Sequence, residues 1–125
     1  MAYAAAVSVS NLGNVYVVTI AETECAATSE ATISLGFPLG RVLKQACSKA
    51  SGTAATVNPL LGTTANPANN SIVIENTTAA QPVANVVSGG GMPFVSNGTL
   101  YHRSKPNAGT DNTIETVYII LSGLV

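Results

Sequence analysis

The side chains able to do chemistry crowd into one stretch of this sequence, residues 100–123 (LYHRSKPNAGTDNTIETVYIILSG). It holds the only histidine and the only aspartate of the chain, two basic residues and a glutamate. If His102, Asp111 and Glu115 converge, they present an imidazole and two carboxylates, the donor types of a divalent-metal site or an acid–base pair. Their placement argues otherwise. Residues 100–103 and 113–121 are each β-like, and between them Lys105-Pro106-Asn107-Ala108 puts proline at the second turn position and asparagine at the third. The stretch therefore reads as a hairpin with a polar tip, extended by Gly109 and the Asp111-Asn112 pair. In that register Glu115 falls near His102 and Arg103, a cross-strand charge pair worth roughly 0.2–1 kcal/mol. Asp111 and Glu115 have the i,i+4 spacing of a helix but lie where the chain reads as loop and strand. A metal centre needs three or four convergent ligands with supporting partners behind them, and the spacing supplies none. The sequence also lacks paired carboxylates on one rigid element, a strand-to-helix nucleophile turn and a P-loop. We expect no catalytic, cofactor-binding or metal-binding residue, and no enzyme.

Composition points the same way. Charged residues make up 9% of the 125 positions, against about 25% in an ordinary soluble domain. Ser, Thr, Asn, Gly and Ala take their places. A net charge of −1 offers nothing like the basic footprint that phosphate neutralisation demands, so nucleic acid is not an expected partner. No Lys or Arg precedes Arg41, so the apolar opening MAYAAAVSVSNLG lacks the basic region of a signal peptide. The closing VYIILSGLV is far shorter than the roughly 20 residues of a spanning helix, and no membrane segment is expected. Cys25 and Cys47 lack metal-ligand spacing and read as buried free thiols, with one disulfide the alternative in an oxidising compartment. The glycosylation-type triplets at Asn76 and Asn97 are matches expected by chance in a chain so rich in Asn and Thr.

Short β-type runs alternate with Gly/Pro/Asn/Thr-rich connections, which is an all-β signature. Residues 15–20 (VYVVTI) are apolar on both faces. Residues 30–35 alternate, with Ala31, Ile33 and Leu35 opposite Glu30, Thr32 and Ser34. Ile72 and Ile74 against Ser71 and Glu75 repeat that alternation. Residues 40–51 (GRVLKQACSKAS) are the exception: Val42, Leu43, Ala46, Cys47 and Ala50 form a helical stripe, whereas the β-rich surroundings favour a strand. Long irregular connections over residues 51–70 and 76–97 suit loops crossing the ends of a sandwich. The glycines of SGGGMP (residues 88–93) read as flexible loop, because no helix start follows to complete a phosphate cradle.

The last strand carries Glu115, Val117, Ile119 and Leu121 on one face and Ile114, Tyr118 and Ile120 on the other. Apolar residues on both sides of this strand and of residues 15–20 imply contact beyond the fold, with further copies or a larger surface. The alternative is an outer face lying under one of the long loops. Tyr16, Val18, Ile114, Tyr118 and Ile120 are accordingly candidate interface residues.

Through GRVLKQACSKASGTAATVNPLLG (residues 40–62) and TLYHRSKPNAGTDNTIETVYIILSG (residues 99–123) the sequence resembles small virion structural proteins of tailed bacteriophages. The likeness lies in a Lys–Ser–Gly–Thr-rich connection, a Leu-Tyr strand, a Pro–Ala–Gly–Thr–Asp–Asn loop and an apolar final strand. It implies a jelly-roll-like β-sandwich with long irregular loops and at most one short helix. The protein would be a capsid cement or decoration protein, docked on the phage head as a homo-oligomer, a trimer ahead of a dimer, with the major capsid protein as its partner. Residues 1–12 would form an N-terminal arm before a single sandwich domain at 13–125. Tyr3, Val7 and Val9 in that arm suit addition to a capsid strand. Location on the virion after assembly in the host cytoplasm follows, with the thiols reduced. The alternatives are a tail, fibre or baseplate component, or a carbohydrate-binding module on the virion.

Overall fold

Runs of β-branched and aromatic residues give strands here because those side chains pack well on a pleated surface. In chain order they are β1 (Ala4–Asn11), β2 (Val15–Cys25), β3 (Ala31–Ser34), β4 (Leu39–Ser51), β5 (Leu60–Gly62), β6 (Val83–Val86), β7 (Met92–Val95), β8 (Thr99–Arg103) and β9 (Asn112–Ser122). The computed structural model describes residues 2–66, 72, 83–86 and 91–123. Of the regions read from sequence, the alternation at 71–75 (Ile72 excepted), the Asn76 triplet and residues 88–90 of the glycine loop lie outside the described residues.

The strands form two antiparallel sheets, as the all-β reading requires. The larger sheet runs β1-β2-β9-β4-β6, with β7 also pairing β4, and the smaller runs β3-β8-β5. They pack as a sandwich. Val18 and Ile20 of β2, Val42 of β4 and Ile120 of β9 share one buried cluster with Ile33 of β3 and Leu100 of β8. Each such side chain, removed from water, stabilises the fold by roughly 1.5–3 kcal/mol. A smaller cluster of Cys25, Cys47, Val57 and Ile114, with Tyr3 packed against it, closes one end.

The expected hairpin at residues 100–123 does not form. β8 pairs with β3 and β5 in the smaller sheet, whereas β9 pairs with β2 and β4 in the larger. Both strands carry an apolar inner face, and placing them on opposite sheets buries the two faces against one core. The loop between them is not a free turn. The side chain of Asn107 accepts from the amides of Ala55 and Thr56, that of Asp111 from the Thr53 amide and hydroxyl, and that of Asn112 from the Ala54 amide. The loop is thus stitched to residues 53–56. Glu115 stands opposite Ala21 and Ser48, and Arg103 pairs with Glu30 at 3.4 Å, so the expected pairing of Glu115 with His102 and Arg103 is also absent.

Residues 40–51 are strand throughout. Their helix-like spacing comes from a β-bulge: Val42 stands opposite Ile120 and Lys44 opposite Ile119, leaving Leu43 as an extra residue. The bulge shifts the inward parity, so Val42, Gln45 and Cys47 all face the core. The expected arm is built into the larger sheet, since β1 pairs with β2 from Ala4–Thr23 to Asn11–Tyr16. β9 does not lose water on both faces equally. Its residues 112, 114, 116, 118, 120 and 122 are buried, while Val117, Ile119 and Leu121 are half-buried and Glu115 is exposed.

Asn112 ties the loop end of the sandwich to β2, since its amide group also donates to the carbonyls of Cys25 and Ala108. Replacing a buried group with three such bonds leaves donors and acceptors unpaired. Asn112→Ala should lower the stability measured by urea denaturation by about 3 kcal/mol; a loss within about 0.5 kcal/mol would mean that the loop clamp is not structural.

Candidate functional site

Polar side chains meet between the sheets where the apolar core gives way to the smaller cluster. On β2 the inner face runs Val18, Ile20, Glu22 in strict alternation, so the strand that buries two aliphatic residues also carries a carboxylate inward. A bulge between Glu22 and Cys25, with Glu24 at φ 52°, then resets the parity and turns Cys25 inward too. Opposite lie His102 of β8 and, two residues on, Ser104. Gln45 of β4 and Thr116 and Tyr118 of β9 complete the set, every one buried.

A buried ion is tolerated only when its lone pairs are filled. Here Tyr3 donates its hydroxyl to Glu22 Oε2 at 2.6 Å, the Cys25 thiol points at the same oxygen from 3.6 Å, and Ser104 donates to Oε1. His102 Nε2 lies 3.3 Å from Oε1 and 2.8 Å from Ser104 Oγ. The other ring nitrogen, Nδ1, is 2.7 Å from the Tyr118 hydroxyl, which accepts from Gln45 Nε2 at 3.1 Å. With the imidazole proton on Nε2, every donor runs one way: Gln45 to Tyr118, Tyr118 to His102, and His102, Ser104 and Tyr3 to the carboxylate.

Burial pushes the Glu22 carboxyl upward. Hydrogen bonding and attraction from His102, joined by the bonds from Ser104 and Tyr3, outweigh it and hold the group below its ordinary 4.5. Burial and the neighbouring Glu22 raise the Tyr3 phenol and push the Cys25 thiol up to about 12. Burial lifts Cys47 to about 11. Neither sulfur is a nucleophile near neutral pH.

The trio of Ser104, His102 and Glu22 has the residue types of a hydrolytic triad without its geometry. In such a triad the acid holds the imidazole nitrogen remote from the hydroxyl. Here carboxylate and hydroxyl crowd the same nitrogen, and the remote one belongs to Tyr118. The cluster is suited to locking the two sheets in one alignment.

The structure separates the three residues first considered as ligands. His102 is inside the sandwich, Asp111 is exposed in the loop after β8, and Glu115 is exposed on the outer face of β9. Among the described residues no group of three or more His, Cys, Asp or Glu side chains is placed to hold a metal ion. Of the candidate interface residues, Val18, Ile114, Tyr118 and Ile120 are core side chains with no surface to present, because they occupy inward parity positions. Tyr16 is half-buried with its ring 4.7 Å from that of Phe37, and Tyr3 serves Glu22. Val7 and Val9 remain exposed. Sequence reasoning missed Glu22, whose signal was its in-phase position behind Val18 and Ile20.

The surface apolar residues form a second feature. Across the outer face of the larger sheet the register sets Val15, Leu121 and Arg41 in one row, Val17, Ile119 and Lys44 in the next, and Thr19, Val117 and Ala46 in a third. At the end of this face Leu12 (66% exposed), Leu39 (41%) and Val95 (72%) stand in solvent. The result is an apolar ridge flanked on β4 by two cations.

Acid should loosen the fold through Glu22. Above pH 4.5 the carboxylate's bonds stabilise the fold fully; below it the unfolded chain takes up the proton first, and the contribution fades as pH falls through the lower folded value. Glu22→Gln should cost about 3–5 kcal/mol at neutral pH and flatten the acid limb of stability measured by denaturant titration. An unchanged acid limb in that variant would place the proton uptake elsewhere.

No protein-family model matches the chain, and no curated protein matches its sequence. Among solved structures the backbone is similar to a chain of the cyanophage Pam1 capsid asymmetric unit, with a TM-score of 0.40 and 14% identity over 93% of this chain and 86% of that one.

Proposed function

We propose that this chain is a structural virion protein, a capsid cement or decoration protein on the outer surface of a phage head. The observation that carries the reading is the outer face of the larger sheet, where Val17, Val117, Ile119 and Leu121 stay half-exposed in a chain with only 9% charged residues. A contiguous apolar ridge with a charged margin is what a protein-covered surface requires. The resemblance of residues 40–62 and 99–123 to phage virion proteins supports the same reading. The pairing of β2 with β9, β3 with β8 and β4 with β7 supports a jelly-roll wrapping, in which one long ribbon is rolled into two sheets. A fold of that kind serves many functions, so the weight rests on the face.

In this reading the chain binds the assembled lattice and not its separated subunits, and so stabilises the shell by mass action. The major capsid protein supplies the partner surface, with Arg41 and Lys44 meeting its carboxylates. Neither cofactor nor catalysis has a part. The buried Glu22–His102 cluster serves alignment.

Heads stripped of this protein should rupture at a lower temperature than complete ones, and adding purified protein should restore the difference. Ile119→Asp should fail to restore it while still folding, because the change lies on the half-exposed outer face and not in the core. Lys44→Glu should weaken binding without touching the apolar ridge. Equal rupture temperatures for stripped and complete heads would overturn the reading.

A further inference from the structure

Strand β1 ends the larger sheet, and all eight of its residues are exposed. One edge bonds to β2; among the described residues no strand pairs with the other. Its inward parity is set by its partners: Ala5 stands opposite Glu22, Val7 opposite Ile20 and Val9 opposite Val18. Those partners are buried, yet Val7 and Val9 remain 36% and 38% exposed. Strand β3 of the smaller sheet approaches β1 but leaves these two valines more than a third exposed. Edge strands are normally protected by lysine, proline, a bulge or brevity, and AAAVSVSN has none of these. The backbone groups on its free edge therefore invite another strand.

We propose that the occupant is β1 of a second copy, paired antiparallel about a two-fold axis through Ser8. A two-fold perpendicular to a sheet keeps each face on its own side, so inner residues meet inner residues. Centred on Ser8, the pairing puts Val7 opposite the second copy's Val9, Val9 opposite its Val7, and Ser8 opposite Ser8. Valine meets valine on the inner side and serine meets serine or alanine on the outer. The segment carries no charge, so a two-fold places no like charges together, and the net charge of −1 per chain adds little repulsion. Few other strands would match both faces and be present in equal number. The pair joins two large sheets into one continuous sheet and covers the exposed valines. This contact uses the edge of β1, not the outer ridge of the larger sheet, so it can fail while the virion reading stands.

The test is cysteine crosslinking of the full chain, with sedimentation alongside. Cys25 and Cys47 are buried, so an introduced surface thiol is the reactive one. Ser8→Cys should form a covalent dimer under mild oxidation. Ser10→Cys should not, since in this register its two copies lie about 14 Å apart along the strands. Wild-type protein should sediment as a concentration-dependent dimer, and Val9→Lys as a folded monomer. If Val9→Lys fails to fold, the Ser8 and Ser10 comparison alone decides. A wild-type monomer or trimer at high concentration, or equal crosslinking at the two positions, would overturn the pairing.

Discussion

A sandwich built from unequal sheets has more inner face than it can cover. Here a six-stranded sheet packs on a three-stranded one, and the mismatch sets the rest of the structure. Where the sheets overlap, aliphatic side chains from both fill the space. At the β1 edge the smaller sheet reaches over only through β3, and Val7 and Val9 stay exposed. The excess cannot be removed by folding harder. Among the described residues nothing covers these valines fully, and a chain with few charges does little to keep other molecules away.

The Glu22 cluster lies close to that boundary. Tyr3, immediately before β1, reaches back to the carboxylate, so the strand least covered by the fold is tied to its best-satisfied polar group. Buried ion networks contribute little net stability compared with a well-packed apolar core, but a one-residue slip of β2 or β8 would strand an unpaired charge or imidazole. The cluster therefore penalises misalignment of the two sheets more than it strengthens the correct one. Alignment matters here because the outer ridge is assembled from three strands, and only one register brings Val17, Ile119 and Lys44 into a row.

Much of the fold was legible in the residues. The alternation of Ala31 and Ile33 against Thr32 and Ser34 is the burial pattern of β3, and the β-branched density of residues 15–20 marked β2. Local patterns could not supply the partner of each strand. Pro106-Asn107 has good turn chemistry, yet the loop spans two sheets, because turn propensity is worth less than burying both Leu100 and Ile120 in one core. The bulge at Leu43 imitated a helical period, since one inserted residue converts a spacing of two into three. Tyr118 and Ile120 read as an outer face because parity says which residues share a side and not which side is in. The site was less legible than the fold. His102 drew attention as the only histidine, but its partner Glu22 lies 80 positions away, and separation of that order is invisible to spacing rules.

In the proposed role the outer ridge of the larger sheet works by being covered. Hydroxyl-radical footprinting of the chain, free and bound to assembled heads, measures that coverage side chain by side chain. Strong protection of Val17, Ile119 and Leu121 on the heads, with Leu60 and Tyr101 of the smaller sheet unchanged, is the predicted result. Oxidation of those three residues at the same rate in both states would contradict it.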